Sequence, residues 1–387
     1  MRGPCYLYSC DLARAYRNLP LDPLAWPLCN IQFNGKFYID TSLSFGARWS
    51  AAGCQRVTDA VKYIMAQNGH TVINYIDDIV GLAQTLDQAT QGFLTLQRTL
   101  ASLGLPEATH KASPPAPTII WLGIEFDSVN RTMLIPQDKL SETITLVSHW
   151  LSRTEISIKQ LRSLLGKLLH IAQCSRPARL FLNRILATYR DSAHLHTIPI
   201  NQHFRRDLQW FRDHLPQANG VYMMDTPRAA HSTLECDSCM TGGGAIWRSF
   251  CHHTVYPGFI TDSPLAICHL EALNCVVSLK LWAPQMAGTT VQLLCDSMVT
   301  VHTLINAKGR DPFMLKCARE IWLICAKHAI NLLPSHAPGT QMAGRADALS
   351  RRHLDDHYHK LCTDLITANN LSPCSIDPYM FKLQQSL

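Results

Sequence analysis

The stretch from Thr71 to Ala83 sets two adjacent carboxylates, Asp77 and Asp78, in the middle of an apolar run, Thr-Val-Ile-Asn-Tyr-Ile-Asp-Asp-Ile-Val-Gly-Leu-Ala. β-Branched and aromatic residues on both sides predict two short strands with the acidic pair at the turn between them. Like charges held side by side at a hairpin tip repel each other and resist losing water. An Asn-Gly pair would serve a purely structural turn better. Divalent cations reverse the local electrostatics, so the hairpin is a candidate metal site. The other reading is a solvent-exposed turn, where Asp is common.

A chain of 387 residues, 47% of them hydrophobic, has room for two or three domains with real cores. Its net charge of +6 is unevenly placed. Residues 131–220 hold 13 Lys and Arg against 6 Asp and Glu, whereas residues 1–130 hold 9 against 10 and residues 221–387 hold 13 of each. A basic, helical-looking middle suits a polyanion partner, though a solvated charged face explains it nearly as well. The first residues lack a signal-peptide pattern, and no run of 18 uncharged apolar residues offers a membrane span. The 15 scattered cysteines are therefore expected to be reduced, mostly buried thiols of an intracellular protein in the cytoplasm and/or nucleus. Cys236-x-x-Cys239 followed by Cys251-His252-His253 has zinc-ligand residue types. Two strand cysteines and a loop account for it better. His353, His357, His359 and Cys362 are weaker still as metal ligands.

Strands are expected at 5–10 and 28–40, a helix at 46–67, the hairpin at 71–83 and a helix at 85–104. The Ser113-Pro-Pro-Ala-Pro117 segment reads as a turn, and Thr118–Phe126 as one strand. Four amphipathic helices follow at 137–152, 157–173, 176–190 and 202–214. In the second, Leu161, Leu164, Leu165, Leu168 and Leu169 form an apolar stripe. The pattern breaks at 220–230, which reads as a linker. Beyond it come a strand at 232–239, Gly242–Trp247 as a turn into a second strand, and a third strand near 252–260. A helix at 264–285, a strand at 290–296, helices at 297–307 and 311–329, a strand at 330–335 and a helix at 345–354 complete an α/β domain. Residues 355–387 read as a loosely structured tail.

Asp11 ends a short strand, Leu7-Tyr-Ser-Cys-Asp11, and gives the hairpin a carboxylate partner. Carboxylates from two strands can bracket a pair of divalent ions about 3.5–4 Å apart, as phosphoryl transfer requires. Between them lies a Gly turn leading into a helix, Phe45-Gly46…Ser50-Ala51…Gln55, and Gly46 lets backbone come close to a base pair. The order Asp11…Tyr16, Phe45-Gly46…Gln55, Tyr75-Ile-Asp77-Asp78, Gly104-Leu…Lys111 and Trp121-Leu122-Gly123 resembles the palm of a reverse transcriptase, most closely retrotransposon enzymes of the gypsy and DIRS-like groups. The resemblance implies that Asp11, Asp77 and Asp78 hold the metals. It implies that Tyr16 stacks under the incoming sugar and that Phe45, Gly46 and Gln55 contact nucleotide and template. It also puts Lys111 near the triphosphate and makes Trp121, Leu122 and Gly123 the primer grip. Taken alone, Tyr16 is more often a core aromatic and Lys111 a surface charge. Ser44 and Ala52 stand where that family usually has proline, and Cys54 where it has an aromatic. Only ten residues precede Asp11, so the fingers region is expected to be largely missing.

A second acidic set follows. Asp237 lies on a strand, Glu271 on a long helix, Asp296 at the end of the next strand and Asp347 at the start of a late helix. Singly, such residues are more often caps or exposed charges. In this order, with Ala346-Asp347-Ala-Leu-Ser-Arg351, they resemble a ribonuclease H domain. The resemblance implies two-metal hydrolysis with Asp237, Glu271, Asp296 and Asp347 as ligands and His336 as a mobile proton shuttle. Ala343 stands where that family often has Asn, and the spacing from Gly339 to Asp347 is one residue longer than usual.

The expectation is thus an α+β polymerase palm with a helical thumb or connection, followed by an α/β ribonuclease H-like domain. The parts are 1–130 palm, 131–220 thumb/connection, 231–354 ribonuclease H-like domain and 355–387 tail. The resemblance implies a retrotransposon RNA-directed DNA polymerase with ribonuclease H activity, expected to be N-terminally truncated. It implies two Mg²⁺ or Mn²⁺ ions per active site, with an RNA template, DNA primer, RNA–DNA hybrid and dNTPs as partners. The alternatives are a polymerase-dead fragment keeping only ribonuclease H activity, and a non-catalytic nucleic-acid-binding relic.

Overall fold

The computed structural model describes residues 4–175, 177–192, 194–222 and 230–383, so most of the expected linker lies outside the described residues. Two compact units form, Met1–Pro136 and Gln137–Leu387. Among the described residues, no helix is long and apolar enough to cross a membrane.

In the first unit, β1 (Tyr6–Asp11) is followed by a hairpin of β2 (Asn30–Phe33) and β3 (Lys36–Ile39), then α1 (Arg48–Gln67). The acidic hairpin is β4 (Thr71–Tyr75) and β5 (Asp78–Ala83), and α2 (Leu86–Ser102) starts at Thr85, whose side chain accepts from Gln88 N–H. The sheet order is β4-β5-β1-β6, with β6 at Ser113–Ala116. Here the expected Pro-rich turn is a strand. Pro114 and Pro115 lack donors, and they fit because β6 is an edge strand with an irregular register against β1. Tyr8, Ile79, Val61, Met65, Leu96 and Leu100 form the core under this sheet. Gly81 and Gly92 are required there: a Cβ on Gly81 would fall 2.0 Å from the Tyr8 ring. The single strand expected at 118–126 is a hairpin of β7 (Thr118–Trp121) and β8 (Ile124–Asp127), with β9 (Thr132–Leu134) beside β8. Its turn residues Leu122 and Gly123 both have positive φ, 49° and 74°, as a tight two-residue turn demands.

The second unit opens with α3 (Gln137–Leu151), β10 (Glu155–Ser157), α4 (Ile158–Ile171), α5 (Ala178–Asp191), β11 (Thr197–Pro199) and α6 (Gln202–His214), then the two-residue β12 (Val221–Tyr222). A capping box between Ser157 and Gln160 starts α4. Leu161, Leu164, Leu165 and Leu168 are buried as its stripe predicts, but Leu169 is exposed. Phe181 stacks on Trp210 at 4.4 Å.

A six-stranded sheet follows, built from β13 (Ser232–Ser238), β14 (Gly242–Trp247), β15 (Phe250–Val255), β16 (Thr290–Cys295), β17 (Asn331–His336) and β18 (Ser372–Cys374). Its order is β17-β16-β13-β14-β15-β18. The helices are α7 (Gly258–Thr261), α8 (Ile267–Met286), α9 (Met298–Asn306), α10 (Pro312–Lys327), α11 (Gly339–Met342), α12 (Ala346–Arg351) and α13 (Asp356–Ala368). Gly242–Gly244, expected as a turn, is a buried strand. Its missing side chains let α12 lie flush on it, since a Cβ on Gly244 would come within 2.5 Å of Leu349. The expected loose tail is also corrected. Asp355 caps α13, and β18 runs parallel to β15, so Leu361, Leu365 and Cys362 pack against Ile246 and Cys251.

Candidate functional site

In the first unit, antiparallel pairing sets Asp11 directly opposite Asp78, while Tyr75 pairs with Asp78 across the hairpin. Ile76 and Asp77 are the whole turn, and Leu12 N–H donates to Asp77 O at 3.1 Å. Ile76 has φ 54°, a costly conformation for a β-branched residue. Helix α1 holds it there: Gln55 Oε1 accepts from Ile76 N–H at 2.8 Å, and Thr58 Oγ1 donates to Ile76 O at 2.8 Å. Asn74 ties Thr58 and Asp59 to the same hairpin. Gln55, assigned to nucleotide contact by resemblance, bonds the acidic turn through Oε1 and Asp59 through Nε2.

Burial, then the charges of Asp11 and Asp77, push the Asp78 carboxyl up to about 6. Asp11 is buried, and its Oδ1 has no hydrogen-bond partner, while Oδ2 takes Lys111 Nζ at 2.5 Å. That bond to Asp11 raises the Lys111 ammonium further. Lys111 therefore reaches the acidic group itself. Tyr16 packs edge-on against Phe45 at 5.0 Å beside the acidic group, and Gly46 has φ 88°, a backbone only glycine adopts freely. Phe45 is 72% exposed. Trp121, Leu122 and Gly123 form the β7–β8 turn.

In the second unit, β13 and β16 run parallel, with Asp237 one residue before the end of β13 and Asp296 just past the end of β16. Glu271 lies on α8, and its Oε1 accepts from Ser238 N–H at 3.0 Å. Asp347 enters from α12, paired with Arg351 at 2.7 Å. Two residues that the sequence reading passed over fasten α12 in place. Ser350 Oγ donates to Asp237 Oδ2 at 2.7 Å, and Arg345 grips Glu235 at 2.7 and 2.8 Å. Ser350 stands inside the quoted Ala346–Arg351 motif; the Arg345–Glu235 pair left no sequence signal. A cleft of about 430 Å³ opens onto Asp237, Glu271, Asp296 and Arg351.

Burial pushes Asp237 up to about 7, with Asp296 and Asp347 adding to it against the Ser350 hydrogen bond. Burial, then Cys295 and the neighbouring carboxylates, lifts Glu271 well above its usual range. Asp296 is also raised, chiefly by burial, and His336 at the end of β17 opposes that shift. His336 is thus close enough to Asp296 to act on its charge. Among the described residues, the one group of three whose ligand atoms all lie within 4.8 Å is Glu271, Cys295 and Asp296. Cys236, Cys239, Cys251 and their histidines do not converge, so the strand-and-loop reading of that motif stands.

Both sets suit hard divalent cations: oxygen donors dominate, and each holds carboxyls that their neighbours and burial disfavour as bare charges. Residues 1–126 match the family model for reverse transcriptase (RNA-dependent DNA polymerase), whose members use divalent metal ions. No curated protein matches the sequence. Among solved structures, the chain is similar to the foamy viral protease-reverse transcriptase in complex with RNA/DNA hybrid, at 14% identity and a TM-score of 0.50, over 87% of this chain and 44% of that one. It is also similar to a foamy viral protease-reverse transcriptase dRH in complex with ds DNA, at 13% identity and 0.49, over 87% and 57%. The chain thus spans under half the length of the first of these. The fold is that of a reverse transcriptase: a palm carried by residues 1–126, followed by a further α/β domain.

Proposed function

We propose that the chain is the palm, helical connection and ribonuclease H-like part of a retrotransposon RNA-directed DNA polymerase of the gypsy/DIRS type. The observation that carries this reading is the pairing of Asp11 against Asp78 with Asp77 in the strained turn, inside the segment that matches the polymerase family. Asp11, Asp77 and Asp78 would hold two Mg²⁺ or Mn²⁺ ions in the palm; Asp237, Glu271, Asp296 and Asp347 would hold two in the second site. Ions so bound supply activation of the attacking oxygen and stabilisation of the leaving one. Tyr16 and Phe45 offer the aromatic face for an incoming dNTP, the β7–β8 turn grips the primer, and the basic helices of 137–214 hold the duplex by its phosphates. His336 would move a proton during hydrolysis of the RNA strand.

The test is primer extension on an RNA template and cleavage of RNA in an RNA–DNA hybrid, both with the full chain and Mg²⁺ or Mn²⁺. Asp78→Asn is expected to lower extension about 10³-fold, ~4 kcal/mol of barrier, and Asp296→Asn to do the same to cleavage. Cleavage without extension would leave only the ribonuclease H half standing. Duplex retention without either reaction would reject catalysis.

A further inference from the structure

Cys295 is the last residue of β16, completely buried, and its Sγ lies 3.6 Å from Glu271 Oε2. The next residue is Asp296, at the mouth of the cleft, and one ligand atom from each of Glu271, Cys295 and Asp296 falls within 4.8 Å of the other two. Glu271 is itself almost fully buried, with Oε1 held by Ser238 N–H, so its second oxygen is fixed facing the thiol. Register places Cys236 beside Cys295 on the neighbouring strand, and Cys275 of α8 closes the far side. A thiol aimed into a carboxylate site changes which cation the site prefers. Thiolate favours Zn²⁺ and its heavier relatives, whereas Mg²⁺ takes oxygen.

We propose that Glu271, Cys295 and Asp296 form a mixed thiolate–carboxylate site for a thiophilic divalent cation of the Zn²⁺ or Cd²⁺ class, which competes with the hard ions of the second acidic site. The inference rests on that site being the hydrolytic one only for its regulatory consequence, inhibition; the binding itself does not. On binding, the Cys295 S–H proton is released to solvent, and a metal–sulfur bond replaces the hydrogen bond to Glu271.

The probe is Cd²⁺, titrated into the full chain in excess Mg²⁺ and read by the ultraviolet sulfur-to-cadmium charge-transfer band and by calorimetry. The wild type is expected to show a tight equivalent that Cys295→Ser and Asp296→Asn each weaken about tenfold or more. Asp296 is only half-buried, so that variant carries the test if Cys295→Ser fails to fold. Cd²⁺ binding unchanged in a folded variant overturns the proposal. Mg²⁺-dependent hybrid cleavage on the same wild-type preparation is scored separately: its absence would sink the ribonuclease reading while leaving the cadmium result to judge this one.

Discussion

Both acidic sites gather carboxylates from separate elements, yet they solve the problem of crowded negative charge differently. In the palm, Lys111 reaches in from an exposed position and neutralises Asp11, leaving Asp78 half-buried and raised to about 6. In the second unit the only cation paired within the set is Arg351, on Asp347 at the rim, among the described residues; Asp237 and Glu271 are buried more deeply and raised further. The first set carries its own counter-charge; the second leaves Asp237 to burial and the Ser350 hydroxyl, and Glu271 to burial and the Ser238 N–H.

The largest expected effect concerns the stability of the second unit. Arg319 of α10 is buried, donates to Asp207 at 2.7 Å and to Leu180 O at 2.5 Å, and so welds α5 and α6 to the sheet side of the second unit. Arg319→Met leaves buried Asp207 with Arg184 alone, at 3.6 Å, and is expected to cost about 3 kcal/mol in that unit. Two-probe thermal melts should show the second transition falling while the first stays put. A joint shift would break the comparison.

A smaller effect separates the sites by pH. With a chelator present, the folded chain holds a proton on Asp237 up to about pH 7, whereas the unfolded chain releases it near the ordinary value of 3.8. The folded state therefore binds more protons in between, and stability falls as pH rises through that window. The decline should amount to a few kcal/mol at ~1.4 kcal/mol per pKa unit, and Asp237→Asn should flatten it. Asp78, raised only to about 6, predicts a narrower window for the palm, closing about one pH unit earlier. A palm transition that keeps falling up to pH 7 would contradict the contrast.

The smallest effect concerns the strained turn. Thr58→Val removes the hydroxyl that holds Ile76 O, at a cost of about 1 kcal/mol in the first unit. Primer extension should suffer more than stability does, because Asp77 is placed by that turn.

Where the sequence carried a period or a charge pattern, it could be read. The acidic hairpin, the α4 stripe and the four carboxylates of the second set all lie in the elements that their neighbours imply. What it hid depended on partners far along the chain. Gly242–Gly244 has turn composition, but its strand exists because Leu349 and Ser350 need backbone at that distance. The prolines of β6 are tolerated only at an edge, and β18 is a strand only through β15. At the sites, the carboxylates themselves could be picked out by residue type and order. The Lys111–Asp11 pair and the approach of Cys295 to Glu271 span 100 and 24 residues, and no local pattern announces them.

The central claim is that one chain carries two independent divalent-ion sites. The direct measurement is Mn²⁺ binding to the full chain, followed by electron paramagnetic resonance, for the wild type, Asp78→Asn and Asp296→Asn. Two classes of bound Mn²⁺ are predicted, one lost in each variant with the other kept. A single class, or a variant that removes both, would contradict it.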